Sequence, residues 1–297
     1  MHYSYYGKDT FMTRQEFQKL VNQGPLILDG ATGSNLMKTG MPKGVCTEQW
    51  VLDHPEVLTK LQKEYIDAGS RIIYAPTFAA NRISLAEHGL EGEMESMIPR
   101  LVNLSKSCVK AGTYVAGDLT TTGKTDMPYE TLYTVYQEQI SCLRDAGVDL
   151  LVAETMLTLD ETMAAVDAAH AVCDLPILCT MTVESDGSLF FGGNIFETAL
   201  ALQEIGADAV GINCSAGPEQ FESIIFSLKE SLDIPVIAKP NAGMPTIDEK
   251  GEAHYHMDPA EFAAHMKRLV EAGADLIGGC CGTSPEYIRE LVSILKQ

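Results

Sequence analysis

Positive charge is scarce in this chain. Lysine and arginine number 21 against 41 aspartates and glutamates, a formal net charge of −20 over 297 residues. No basic stripe is available to neutralise phosphates, which argues against a nucleic-acid partner and against binding to anionic membranes. Long apolar runs are missing too. The opening stretch "MHYSYYGKDTFMTRQEF" has no signal core, and no later run is long enough to span a bilayer. The protein is therefore expected in the cytoplasm. In that reducing compartment its eight cysteines read as thiols, small core residues or metal ligands, not as a disulfide framework. Low-complexity segments, linkers and Cys-x-x-Cys motifs are also absent.

What the chain has is the 45% hydrophobic and 21% charged content of a soluble globular protein. One pattern recurs. A helical stretch ends in glycine and a β-rich apolar run follows at once, as in "YIDAGSRIIYAPT", "LRDAGVDLLVAET", "LQEIGADAVGINC" and "LVEAGADLIGGCC". Glycine suits the left-handed residue after a helix. The short apolar run suits a strand buried on both faces of a parallel sheet. Candidate strands fall at 25–30, 71–77, 114–119, 150–155, 176–184, 209–214, 235–243 and 276–282, with helical patterns between them. Eight strands alternating with helices predict an α/β chain folded as a single (β/α)8 TIM-type barrel over 24–297, with a doubly wound open sheet as the alternative. Residues 1–23 form a short N-terminal extension with one helix, placed to close the barrel bottom.

The expected strands end in polar residues: Asp29, Thr77, Asp118, Glu154, Glu184, Cys214, Asn241 and the pair Cys280 and Cys281. The C-terminal ends of barrel strands build active sites. Three thiols stand out among them. Cys214 ends "GINC", and the vicinal Cys280 and Cys281 end "LIGGCC". Neighbouring side chains in a strand point to opposite faces, so the pair shares a target only where the backbone turns, as Gly278, Gly279 and Gly282 allow. Three cysteinates with one position left over describe a zinc site that is catalytic in form. The bland reading, a small core residue, is given to Cys108, Cys142, Cys173 and Cys179. Cys46 in "GVCTEQW" is the residue that could supply a fourth sulfur and make the site structural. His254 and His256 in "HYH" lie in a polar stretch and read as an exposed hairpin or helix lead-in. The glycine-rich "NAGMP" and "GGCCGTS" could cradle a phosphate, but a cradle of backbone amides has no need of thiols.

Taken in order, "LDGATGSNL", "APTFAANR", "ETM", "GINCS", "KPNAG" and "GGCCGT" closely resemble the zinc-dependent homocysteine S-methyltransferase family. The branch they look most like is the homocysteine-binding module of cobalamin-dependent methionine synthase. The resemblance spans about residues 24–296. It implies that Cys214, Cys280 and Cys281 hold Zn2+ and that the acceptor is homocysteine or a similar thiol. It further implies that Asp29 and Glu154 hold the amino-acid end of homocysteine and that Thr77 and Phe78 meet its carboxylate through backbone groups. Asn213 and Asn241 match polar positions around the metal. The resemblance also implies methyl transfer to a zinc-activated thiolate to give methionine. The donor it points to is a methyl-corrinoid (methylcobalamin) supplied by a separate protein, since these residues hold no folate- or cobalamin-binding module. A sulfonium such as S-methylmethionine is the alternative donor. "GDLTTTG" (117–123) and "FFGGNIFETAL" depart from the family pattern at the mouth and leave acceptor and donor open.

Overall fold

The computed structural model describes residues 11–124, 126–249 and 253–296. Its strands are β1 (Leu26–Ile27), β2 (Ile72–Tyr74), β3 (Tyr114–Leu119), β4 (Leu150–Met156), β5 (Ile177–Met181), β6 (Ala209–Cys214), β7 (Val236–Pro240), the hairpin β8 (Thr246–Ile247) and β9 (Ala253–His254), and β10 (Leu276–Ile277). Eight of them form one parallel sheet in the order β1-β10-β7-β6-β5-β4-β3-β2. The ends of this sheet meet at β1 and β2. There the Arg71 N–H donates to the Ile27 carbonyl at 2.7 Å, and the Asp29 carboxylate accepts the Tyr74 N–H at 2.8 Å. The result is the expected TIM-type barrel, nearly closed and with helices around it.

The period-2 pattern of the strands sorts two cores. Leu28, Ile72, Ala116, Leu150, Val152, Leu178, Ala209, Ile237 and Leu276 point inward and pack with Met12, Phe17, Leu20 and Val21. Alternate residues such as Ile73, Val115, Leu151, Ile177, Val210 and Val236 point outward and meet the helix layer. The helix Arg14–Val21 thus fills one end of the barrel. Its start is fastened by a capping box between Thr13 and Glu16. Residues 1–10 of the predicted extension lie outside the described residues.

Helix-ending glycines do what the pattern required. Gly69, Gly147, Gly206 and Gly273 all have positive φ, between 78° and 119°. Several strands are shorter than expected. The ladder of the last stops at Ile277 and that of the seventh at Pro240, because the backbone beyond leaves the sheet to build the mouth. The fourth strand carries an irregularity between Ala153 and Met156, with Thr155 at φ 59°. Such bulges re-aim neighbouring side chains, and here the neighbour is Glu154.

Candidate metal centre

At the mouth, the sulfurs of Cys214, Cys280 and Cys281 lie within 4.8 Å of one another, with Cys214 and Cys281 4.0 Å apart. Tetrahedral zinc with Zn–S bonds of ~2.3 Å places its sulfurs ~3.8 Å apart, so the three fit a zinc ion with little movement. They form the only such cluster among the described residues. Hydrogen bonds from Cys214 and Cys280 lower the pKa of Cys281, and contacts with Cys280 and Cys281 push that of Cys214 far up.

The turn that brings them together is built locally. Cys214 and Ser215 adopt left-handed φ values of 56° and 48°, uncommon for non-glycine residues. Ser215 is held there, donating to the Asn213 carbonyl at 3.0 Å and accepting the Val183 N–H at 2.8 Å. Gly282 has φ 85°, and a Cβ on it would collide with the Tyr255 ring. Thr283 donates to the Cys280 carbonyl at 2.8 Å and accepts the Ala31 N–H at 3.1 Å, which ties "GGCCGT" to "DGATG".

The cysteines open into a cavity of about 880 Å³ lined also by Asp29, Tyr74, Phe78, Asp118, Glu154, Lys239 and Tyr255. Asp29 and Glu154 are brought together, but they face a lysine. Lys239 Nζ stands 3.2 Å from Asp29 Oδ1 and 3.4 Å from Glu154 Oε2. Burial raises Asp29, partly countered by Lys239. Burial likewise pushes Glu154 up to about 7 against the pull of Lys239. Asp118 is raised well above the carboxylate range by burial and then by the charge of Glu154.

The remaining expected residues sort differently. Phe78 lines the cavity. Thr77 is turned into the fold: its hydroxyl donates to the Asp118 carbonyl at 2.9 Å and accepts the Asp118 N–H at 3.1 Å. Its backbone is engaged too, the N–H by Ala75 and the carbonyl by Gln139. Asn213 is fully buried and braces β4: it accepts the Thr155 N–H at 2.9 Å and donates to Thr155 Oγ1 at 2.8 Å, with Nδ2 3.8 Å from Cys280 Sγ. Asn241 donates its N–H to the Ala216 carbonyl at 3.0 Å, and the next residue donates to the Cys281 carbonyl at 2.9 Å.

The rival readings find no footing. Cys46 donates to Glu48 Oε2 at 3.4 Å and stands outside the cluster. Its partner Glu48 is buried and holds the Ala79 N–H at 2.8 Å, shaping the cavity wall. His254 and His256 sit on the exposed hairpin, paired with Asp248 and Thr246 at 2.8 and 2.7 Å. The amides a phosphate would use in "GGCCGT" are engaged internally: those of Gly279, Cys280 and Thr283 by the carbonyls of Asp29, Pro240 and Cys280, that of Gly282 by Ser34 Oγ. The "TTTG" departure is pinned by Glu161, whose carboxylate accepts from Thr121 Oγ1, Thr122 N and Oγ1 and Tyr136 OH at 2.6 to 2.9 Å.

Sequence reasoning missed Lys239, Tyr74 and Tyr255 as site residues. Tyr255 lies just past β9 and lines the cavity together with His254, so alternation within "HYH" does not single it out.

The fold is a (β/α)8 barrel with three cysteines at its mouth, close enough together to hold a metal ion. The homocysteine S-methyltransferase family model matches residues 26–295, and the chain belongs to that family. It is 28% identical over 299 residues to a methionine synthase of Mycobacterium leprae, covering 93% of this chain and 24% of that protein. The methionine synthase of Mycobacterium tuberculosis is also 28% identical, over 92% of this chain and 25% of the relative. The chain thus spans about a quarter of the length of these relatives. Among solved structures, an oxidized form of the homocysteine methyltransferase MmuM from Escherichia coli superposes with a TM-score of 0.80 at 24% identity, covering 94% of this chain and 99% of that one. Its metallated form gives 0.78 at 22% identity, with 93% and 98% covered. At these identities the likeness speaks for the fold. No described helix is long and apolar enough to cross a membrane.

Proposed function

We propose that the chain is a zinc-dependent methyltransferase acting in the cytoplasm, with homocysteine as acceptor thiol, methionine as product and a methyl-corrinoid on a separate protein as donor. The observation that carries this reading is the three-sulfur cluster at the mouth, whose spacing suits zinc and leaves one ligand position toward the cavity. A free thiol, with a pKa of about 8.5, is mostly protonated at neutral pH, and zinc, when bound, would keep an acceptor thiol in its thiolate form. The chain's own part is placement. Asn213 and Ser215 fix the turn that carries Cys214, and Tyr255 packs over Gly282 beside Cys281. Asp29, Glu154, Phe78 and the backbone near Thr77 form the wall along which the amino-acid end of the acceptor would lie. In the transfer the acceptor sulfur gains the methyl group and the donor keeps the bonding electron pair.

Two features favour a protein-borne donor. Exposed apolar side chains stand on the three segments that follow β1, β5 and β7: Met37 and Val45, Phe190 and Phe191, and Met244 and Ile247. Together they offer a docking rim around the mouth. A sulfonium donor would instead need a cation pocket, and the aromatic face and carboxylates suited to one are engaged by Lys239.

The test has two parts. Elemental analysis is expected to give one zinc per chain, lost in the Cys214→Ala, Cys280→Ala, Cys281→Ala triple variant; retention of full zinc would refute the ligand assignment. Methionine formation is then measured with methylcobalamin, with a methylated corrinoid protein and with S-methylmethionine. Turnover with the sulfonium alone would overturn the donor assignment.

A further inference from the structure

Lys239 is the only lysine or arginine buried among the described residues. It projects from the inner face of β7, and its side chain is 4% exposed. Besides the two carboxylates at 3.2 and 3.4 Å, its Nζ lies 4.0 Å from the centroid of the Tyr74 ring. An ammonium has three donors and no acceptor. Here two directions face carboxylates and the third an aromatic face, which attracts a cation through its quadrupole. Burial opposes the charge, but Glu154 and Asp29 more than offset it and hold the lysine well above its ordinary range. The nearby Asp118 is raised well above the carboxylate range by its burial and then by the charge of Glu154.

The α-ammonium of an amino-acid acceptor would seek these same two carboxylates. It would find between them a cation of its own kind, and like charges in a buried site repel far more strongly than in water. What the ammonium gains from Asp29 and Glu154 is therefore set against that repulsion. The rest of an acceptor, its sulfur and chain, meets the cysteines and the apolar wall, which Lys239 leaves untouched.

We propose that the acceptor site does not require an α-ammonium, because Lys239 stands in for it, and that the substrate class is short-chain thiols with or without an α-amino group, 4-mercaptobutyrate as readily as homocysteine. This rests on the zinc–thiol reading above.

The experiment is calorimetric titration of the zinc-loaded protein with homocysteine and with 4-mercaptobutyrate, which differ only in the α-amino group. The two dissociation constants are expected to agree within about threefold. In Lys239→Met the ammonium becomes the only cation available to the carboxylates. The ratio should then move toward homocysteine by about tenfold or more, the fold-change of one charge-assisted hydrogen bond. A wild-type preference for homocysteine of tenfold or more overturns the inference and leaves the zinc–thiol reading standing. An unmoved ratio in a folded Lys239→Met also overturns it, and if that variant does not fold the wild-type comparison decides alone. Binding of neither thiol to protein that retains zinc removes the zinc–thiol reading and this inference with it.

Discussion

Replacing Asn213 by alanine tests whether the three-cysteine cluster is braced from β4, two strands away in the sheet. The side chain is fully buried and makes two hydrogen bonds to Thr155, at 2.9 Å from its N–H and 2.8 Å to its hydroxyl. Each neutral bond contributes ~1 kcal/mol net, and the Thr155 N–H, left inside without a partner, adds ~1–3 kcal/mol, for a total of about 3–5 kcal/mol. In a domain of this size ~1 kcal/mol moves the melting temperature by roughly 2 °C, so a fall of about 6–10 °C is expected. The strain argument sharpens this. Thr155 is at φ 59° and Cys214, the residue after Asn213, at φ 56°. Both conformations persist only while their surroundings hold them. The variant should therefore also lose zinc at a lower chelator concentration than the wild type. Thr155→Ala removes the hydroxyl and the γ-methyl but keeps the backbone N–H, and the double variant should cost less than the sum of the two singles because they share a bond. An Asn213→Ala protein with unchanged melting temperature and unchanged chelator midpoint would refute the brace, as would strict additivity of the pair.

Three other outcomes follow from the same geometry. Gly211→Ala should cost at least about 3 kcal/mol or abolish soluble expression, since its Cβ would fall on the Ile237 backbone carbonyl of the neighbouring strand, and backbone yields less readily than side chains; denaturant unfolding measures it. Cys46→Ser should leave the zinc content at the wild-type value, because its thiol is turned to Glu48; loss of zinc on elemental analysis would restore a closed four-sulfur site. Glu154 is pushed up to about 7 by burial, whereas an unfolded glutamate titrates near ~4.3. Between those values the folded chain holds a proton that the unfolded chain has released, so stability falls as pH rises through the window, by at most about 1.4 kcal/mol per unit. Glu154→Gln should flatten that segment of the pH–stability curve.

What could be read in advance was local. An apolar run after a glycine announces a buried strand in five or six residues, and a thiol at the end of such a run is placed at the mouth by the strand itself. Cys214, Cys280, Cys281, Asp29 and Glu154 reach the cavity for that reason. What could not be read depends on partners distant in the chain. Thr77 looked like a mouth residue because it ends an apolar run, yet its hydroxyl completes the junction with Asp118 and never reaches the cavity. Asn213 looked like a substrate contact, and its hydrogen-bonding capacity goes to Thr155, 58 residues away. Lys239 was in plain view inside "KPNAG", but lysine is almost never buried unless paired, and its pairs are supplied by two other strand ends.

The buried lysine also explains how one barrel carries an apolar lower core and a charged upper layer. Along β7, Ile237 points into the apolar cluster and Lys239, two residues on, points to the same side at the level of the cavity. β4 does the same with Val152 and Glu154. One period-2 pattern therefore serves both layers, with a change of residue type where the strands reach the mouth. Buried charges bring no stability that a well-packed apolar set could not match, so the core below does not call for them. Removing one member alone is another matter, because its partners would be left charged and unpaired at a cost of about 3–5 kcal/mol. A single substitution among Asp29, Glu154 and Lys239 therefore costs more than an apolar replacement of all three together. A site built this way holds its carboxylates in place before any acceptor arrives, which a solvent-exposed pair of acids at the rim would not.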